Sequence, residues 1–168
     1  LNCNAFHRQK HDHVIFRTNQ DHCLVFNDPR KFGLIDYGNK KNIYKKRYLS
    51  NLGKDALSTS LNYEYLALKI SKKIVPIKQI LLDQKIIAGI GNIYASEILF
   101  DAKISPICIG KDLSMDNCRS IVTSIRKILK RAIIAKGSTL KDYVSTDGTM
   151  GDFQNNFKVY GKSGEKIL

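Results

Sequence analysis

The chain has 168 residues, with 28 lysines and arginines against 15 acidic residues, and its formal net charge is +13. The length suits one medium domain or two small ones, and a hydrophobic content of 43% argues against disorder along the whole chain. Polar side chains interrupt the longest apolar run, at residues 86–100, so no transmembrane helix is predicted. The positive charge favours a polyanionic partner, nucleic acid before an anionic membrane surface, although a lysine-rich proteome is another source of such charge.

The N-terminal part is predicted to form strands. Alternating apolar and polar residues indicate strands at 13–17 and 22–26, joined by a polar turn into a hairpin. A third extended segment is predicted at residues 32–37, after the turn-forming sequence Asn-Asp-Pro. Residues 38–60 are polar and irregular, and we interpret them as a connector.

From Leu61 onward the periodicity becomes helical. One helix is predicted to end before Pro76, and Pro76 begins a second helix over residues 77–87. Two glycines then interrupt the pattern, and Asn92 is predicted to cap a helix over residues 93–100.

The clearest helical pattern spans residues 114–135, with apolar residues at three- and four-residue spacing. Ser114 is its predicted cap and Gly137 its left-handed stop. A short helix is predicted at residues 138–144, a loop at 145–151 and an extended segment at 153–160. Strands followed by helices and a short strand indicate an α+β fold with two subdomains.

The turn Gly89-Ile90-Gly91-Asn92 is the most informative local feature. Two glycines allow close approach of another backbone, and Asn92 begins a helix whose first N–H groups suit a phosphate. A Rossmann site is excluded because the turn follows a helix rather than a strand. A tight helix–helix turn without a ligand is the alternative, and this turn alone does not decide between them.

The sequence around this turn resembles the formamidopyrimidine-DNA glycosylase family. Residues 76–84 read PIKQILLDQ and residues 87–97 read IAGIGNIYASE, which is similar to the helix–two-turn–helix of that family. Other segments resemble the family in the same order: 10–14 (KHDHV), 28–33 (DPRKFG), 137–143 (GSTLKDY), 147–148 (DG) and 158–161 (KVYG). Together the matches extend over about residues 10–165.

The resemblance implies a domain arrangement. Residues 1–37 would be the C-terminal part of an N-terminal β-sandwich and 38–60 a connector. Residues 61–144 would form the helix–two-turn–helix DNA-binding domain. Residues 145–168 would hold a lesion-recognition loop and a strand that leads to a zinc finger absent from this sequence.

The resemblance also implies roles for matching residues. Arg30 and Phe32 resemble the pair that fills the space left by an everted nucleotide, because a guanidinium can bond the orphaned base and an aromatic ring can replace lost stacking. An ordinary strand core residue is the alternative for Phe32. Lys78 and Asn92 resemble residues at the lesion pocket and the DNA phosphates, and Tyr160 resembles a phosphate-binding hydroxyl.

The loop at 145–153 resembles the segment that closes over an everted oxidised purine. Its candidate residues, which would alternatively form an ordinary turn, are Ser145, Asp147, Gly148 and Phe153.

The sequence departs from the family at both ends. The family nucleophile is an N-terminal proline followed by a catalytic glutamate, whereas this sequence begins Leu-Asn-Cys-Asn and its prolines, Pro29, Pro76 and Pro106, are internal. The four zinc-binding cysteines expected after Gly161 are also missing. We therefore expect a fragment or a decayed reading frame, with no catalytic residue, no metal ligand and no cofactor in this chain; the intact family carries zinc.

The predicted function is binding of damaged or abasic double-stranded DNA by a monomer, at the nucleoid in a bacterial cytoplasm. The cytoplasm follows from four cysteines without a C-x-x-C pair, which also argues against a disulfide scaffold. The family is a DNA glycosylase and abasic-site lyase, and whether this chain is an enzyme stays open. The alternatives are a non-catalytic helix–two-turn–helix module that binds nucleic acid, RNA included, and an inactive pseudogene product without a stable fold.

Overall fold

The computed structural model describes residues 6–138 and 151–164, and it divides the chain into two compact units. Unit 1 is Leu1–Tyr44 and unit 2 is Lys45–Leu168. Elements of both helix and strand are present, so the predicted α+β class is confirmed.

Unit 1 contains an antiparallel hairpin of β1 (Asp12–Arg17) and β2 (Cys23–Asn27). Both predicted strands are therefore confirmed, with a bulge between Asp12 and Val14. The Asp12 carboxylate is buried and accepts hydrogen bonds from Gln9 N (2.6 Å) and Asn27 Nδ2 (2.8 Å), which lower its pKa, the Asn27 bond most.

Unit 1 buries little of its apolar surface. Within its described residues only Asp12 and Cys23 are buried, while Phe16 and Leu24 on the hairpin are exposed. Cys23 is disulfide-bonded, although the cysteine spacing indicates no disulfide; Cys108 and Cys118 are free thiols.

Unit 2 is mainly helical. Its helices are α1 (Arg47–Ser50), α2 (Tyr63–Ile70), α3 (Ile77–Leu82), α4 (Asn92–Asp101) and α5 (Met115–Ile134). Two short strands, β3 (Lys54–Asp55) and β4 (Ile87–Ala88), pair in parallel, so the predicted connector carries regular structure. Short 3₁₀ helices lie at Ile43–Lys45, where the two units meet in sequence, and at Gly110–Asp112 and Phe153–Asn156.

The apolar faces of α2, α3, α4 and α5 form one hydrophobic core. Helix α5 contributes the periodic stripe that its sequence predicts, including the fully buried Ile121 and Ile125. Ser114 caps α5 in a capping box with Asn117, and Gly137 (φ +81°) follows its end, so both predicted boundaries are confirmed.

The turn between α3 and α4 differs from the prediction. Helix α3 ends at Leu82 rather than residue 87, because Asp83 takes an extended conformation and its carboxylate accepts a hydrogen bond from Lys85 N. The N-cap of α4 is Gly91 rather than Asn92, since Asn92 already has helical geometry.

Residues 153–160 do not form a strand, contrary to the prediction. Phe153 and Phe157 are buried in the core, with ring centroids 5.8 Å apart, and the residues between them are helical. Before this segment, Asp152 N donates to Ala135 O (2.9 Å) and Phe153 N donates to Gly137 O (3.0 Å). The chain on the two sides of residues 139–150 is thus joined by backbone hydrogen bonds.

No helix within residues 6–138 and 151–164 is long and apolar enough to span a membrane.

Candidate nucleic-acid interface

The loop that carries Arg30 and Phe32 is organised by one carboxylate. Asp28 accepts hydrogen bonds from Arg30 N (3.1 Å), Lys31 N (2.9 Å) and Gly33 N (2.6 Å). These bonds, that of Gly33 above all, lower the pKa of Asp28 below its ordinary value of 3.8. Residues 32–37 form no strand, contrary to the prediction, and the N–H group of Gly33 bonds this carboxylate instead of a neighbouring strand.

The same loop presents its two candidate side chains to solvent. Phe32 is 86% exposed and Arg30 is also exposed, while Lys31 between them has a left-handed φ of +58°. The strand core role considered for Phe32 is therefore wrong. An aromatic ring this exposed, beside a guanidinium, is available for stacking and hydrogen bonding with a ligand.

In unit 2, the α3–α4 turn presents Gly91 and Asn92 to solvent. No side chain of the described residues caps α4, so the N–H groups of its first turn are not used by a capping residue. Partial positive charge at a helix N-terminus favours anions. This geometry suits a phosphate group.

Lys78 lies on α3 and lines a cavity of about 570 Å³ whose wall is mainly apolar. Ser96 and Lys103, from α4 and the residues after it, line the same cavity, as does Val159. The Ser96 hydroxyl donates to Asn92 O (3.0 Å), one turn back on α4. Lys78, Val159 and the second turn of α4 at Ser96 therefore line one cavity of unit 2.

A buried acid connects that segment to α4. Glu97 is 2% exposed, and its carboxylate accepts hydrogen bonds from Lys158 N (2.9 Å), Val159 N (3.0 Å) and Tyr160 N (2.9 Å). Tyr160 is half-buried, with its ring 5.6 Å from that of Phe157. Glu97 thus fixes the backbone that carries Tyr160.

Asp28 and Glu97 were not predicted from the sequence to have a role. A signal exists for both: an aspartate before Pro-Arg is typical of a turn in which the side chain bonds the backbone, and a glutamate inside an apolar helix segment needs a buried partner. Of the predicted residues, Lys78, Asn92 and Tyr160 belong to unit 2, and Arg30 and Phe32 belong to unit 1.

The predicted lesion loop is described only at its end. Ser145, Asp147 and Gly148 lie outside the described residues, and Phe153 is a buried core residue whose ring centroid is 5.7 Å from that of Tyr94. Among residues 6–138 and 151–164, no three histidine, cysteine or acidic side chains cluster as a metal site would require.

Residues 52–144 match the formamidopyrimidine-DNA glycosylase H2TH domain, and this match covers more than half of the chain. The chain belongs to the formamidopyrimidine-DNA glycosylase family. The predicted helix–two-turn–helix is thereby confirmed.

Curated members of the family are similar over nearly the whole chain. The formamidopyrimidine-DNA glycosylase of Zymomonas mobilis is 46% identical over 158 residues, which are 94% of this chain and 58% of that protein. That of Rickettsia bellii is 42% identical over 168 residues, which are 100% of this chain and 61% of that protein. The chain thus spans about three-fifths of the length of these relatives.

Solved structures of formamidopyrimidine-DNA glycosylases share the fold. The MutM (Fpg) protein of Thermus thermophilus has a TM-score of 0.84 and 32% identity, over 96% of this chain and 61% of that one. Lactococcus lactis Fpg in complex with DNA containing an abasic site has a TM-score of 0.86 and 33% identity, over 97% and 59%. A variant of the Lactococcus protein was solved with DNA containing Fapy-dG.

Proposed function

We propose that this chain forms the DNA-recognition part of a formamidopyrimidine-DNA glycosylase and binds damaged or abasic duplex DNA as a monomer. The observation that carries the proposal is the arrangement in unit 2. There Lys78 and Val159, the latter in the backbone fixed by Glu97, line one cavity with Ser96. Ser96 lies one turn after the start of α4, which no side chain of the described residues caps. A cation, free helix N–H groups and a tyrosine hydroxyl are groups that bind phosphates in protein–DNA contacts.

The net charge of +13 supports the same partner. Lysines and arginines that neutralise phosphates release counterions, and this release supplies most of the non-specific affinity for DNA. A bacterial nucleoid location is proposed on this basis.

The exposed Phe32 supports recognition of a gap in the base stack. A ring that is 86% exposed gains apolar contact when it enters a space left by a missing or everted base. Arg30 would then bond the unpaired base on the opposite strand.

The binding test compares three nucleic acids by fluorescence anisotropy: a duplex with an abasic site, the intact duplex and a structured RNA. We expect the abasic duplex to bind most tightly, with log K falling against log salt at a slope of about −3 to −5 for three to five neutralised phosphates. Equal affinity for all three would instead support a generic nucleic-acid module. A cooperative thermal melt of the same sample checks that the chain is folded, since a pseudogene product without a stable fold would show none.

A matched pair of aromatic variants tests the role of Phe32. Phe32→Ala should reduce the preference for the abasic duplex about tenfold, because a stacking contact is lost. Tyr37 is similarly exposed, at 91%, and Tyr37→Ala should leave the preference unchanged. Equal effects of the two substitutions would contradict the proposed insertion of Phe32.

We further propose that the 168-residue polypeptide does not excise bases by itself. The nitrogen atoms of its prolines at positions 29, 76 and 106 are part of peptide bonds, so these prolines offer no secondary amine for attack on the sugar. Most lysine amines are protonated near neutral pH and are poor nucleophiles. Incubation with an oxoguanine duplex and borohydride should give no covalent adduct, and a trapped adduct would overturn this proposal.

A further inference from the structure

The side chain of Gln84 crosses the turn between α3 and α4. Its Nε2 donates hydrogen bonds to Ile90 O (2.9 Å) and Leu82 O (3.2 Å), and its Oε1 accepts one from Gly89 N (2.9 Å). The partners fix the orientation of the amide, because both carbonyls need a donor and the N–H needs an acceptor. Gln84 therefore joins the end of α3 to the residues that lead into α4.

Other groups hold the first part of the turn. Gly53 N donates to Gln84 O (2.8 Å), and the hydroxyl of Tyr65 donates to Ile86 O (2.9 Å). Strand β3 also pairs with β4 at residues 87 and 88. These contacts act on residues 84–88, whereas the side chain of Gln84 acts on Gly89 and Ile90.

Gly89 and Ile90 determine the direction in which the chain reaches Asn92. Gly89 has φ +97°, which glycine adopts easily. Because glycine has no Cβ, its backbone can also adopt many other conformations. A glycine-containing turn that must become ordered on binding weakens the complex, because the lost backbone entropy opposes association. The hydrogen bonds of Gln84 restrict this freedom before any ligand arrives.

We infer that Gln84 is a positioning residue for DNA binding, which holds the Gly89–Asn92 turn in its binding conformation without contacting DNA. The inference rests on the proposed function, since it assigns Gln84 an effect on DNA affinity through Gly91 and Asn92. The sequence motif contains this glutamine, but its spacing alone does not show which backbone groups it bonds.

Gln84→Met tests the inference, because methionine has a similar length and cannot form the three hydrogen bonds. We expect DNA affinity to fall about tenfold, equivalent to about 1.4 kcal/mol, with the salt slope unchanged because no phosphate contact is lost. The amide resonances of Gly89, Gly91 and Asn92 should also shift in the free protein. Gln84→Ala, which adds no bulk, replaces this variant in the test if Gln84→Met does not fold.

Two controls separate positioning from general stability. Tyr65→Phe removes the hydrogen bond to Ile86 O at the other end of the turn, and it should lower the melting temperature while affinity stays within about twofold of the parent. Gln79→Met changes an exposed glutamine of α3 and should alter neither quantity.

The outcomes distinguish this inference from the proposed function. A parent chain that binds no duplex contradicts both. A parent that binds, together with a folded Gln84→Met that binds equally well, contradicts the inference alone. If Gln84→Met and Tyr65→Phe lose DNA affinity in the same proportion to their loss of melting temperature, Gln84 has a merely structural role. That result also overturns the inference.

Discussion

Replacing Glu97 with alanine is expected to release residues 158–160 from α4. The carboxylate accepts three backbone N–H groups of that segment at 2.9 to 3.0 Å, and it is 2% exposed. Alanine removes every acceptor at once and leaves a space beneath the segment.

The size of the effect follows from two opposing contributions. Each hydrogen bond to a charged group stabilises by about 1.5–3 kcal/mol. If the three residues then become free, each regains backbone entropy equivalent to about 1–2 kcal/mol. The difference leaves a loss of about 1.5–3 kcal/mol in the stability of this segment.

Hydrogen exchange of the Lys158, Val159 and Tyr160 amides measures this loss directly. In Glu97→Ala their exchange should accelerate by about 10- to 100-fold, since each 1.4 kcal/mol is a factor of about ten. Glu97→Gln should give a smaller change, because its amide retains one acceptor oxygen but turns an NH₂ group toward N–H donors. Glu64→Gln on exposed α2 surface is the control with the same change of net charge.

Unchanged exchange of these three amides in a folded Glu97→Ala protein would refute the reasoning. DNA affinity provides a second measurement. It should fall in Glu97→Ala, because Tyr160 would have to be ordered during binding, and it should not fall in Glu64→Gln.

Three further predictions concern other positions. The pKa of Asp28 is lowered in the folded protein. Its carboxylate therefore stabilises the loop at pH values above 3.8, and this stabilisation is lost as the pH falls through the folded pKa. Asp28→Asn should remove this pH dependence from the amide chemical shifts of the loop. Ser114→Ala should destabilise unit 2 by about 1 kcal/mol in a urea titration, with Ser114→Thr nearly neutral. A Cβ at Gly151 would collide with the backbone oxygen of Gly137, so Gly151→Ala should cost about 1–3 kcal/mol. A Cβ at Gly91 would meet open space, so Gly91→Ala should lose only the smaller preference of the α4 N-cap for glycine over alanine. Equal melting temperatures for the two glycine variants would contradict this packing.

Elements with a strong local pattern were predictable from the sequence. The hairpin shows alternation, and α5 combines a regular apolar stripe with the cap Ser114 and the stop Gly137. In both cases the information lies within one element, so periodicity and capping rules suffice. The family resemblance added the helix–two-turn–helix, which the match over residues 52–144 confirms.

Features that depend on distant partners were not predictable. Glu97 bonds backbone groups about 60 positions later in the chain, and nothing near it in sequence indicates them. The pattern around Phe153 and Phe157 suggests a strand. Instead, residues 153–156 form a 3₁₀ helix, and both phenylalanine rings are buried in the core. Tertiary packing here overrides a weak local preference.

The hydrogen bonds that join Ala135 to Asp152 and Gly137 to Phe153 have a consequence for substitutions and insertions in this chain. They hold residues 135–137 beside residues 152–153, on the two sides of residues 139–150. Once such ends are fixed, doubling the length of the intervening segment costs only about 0.6 kcal/mol in loop entropy. Changes in the sequence or length of residues 139–150 should therefore leave the buried packing of Phe153 against Tyr94 intact.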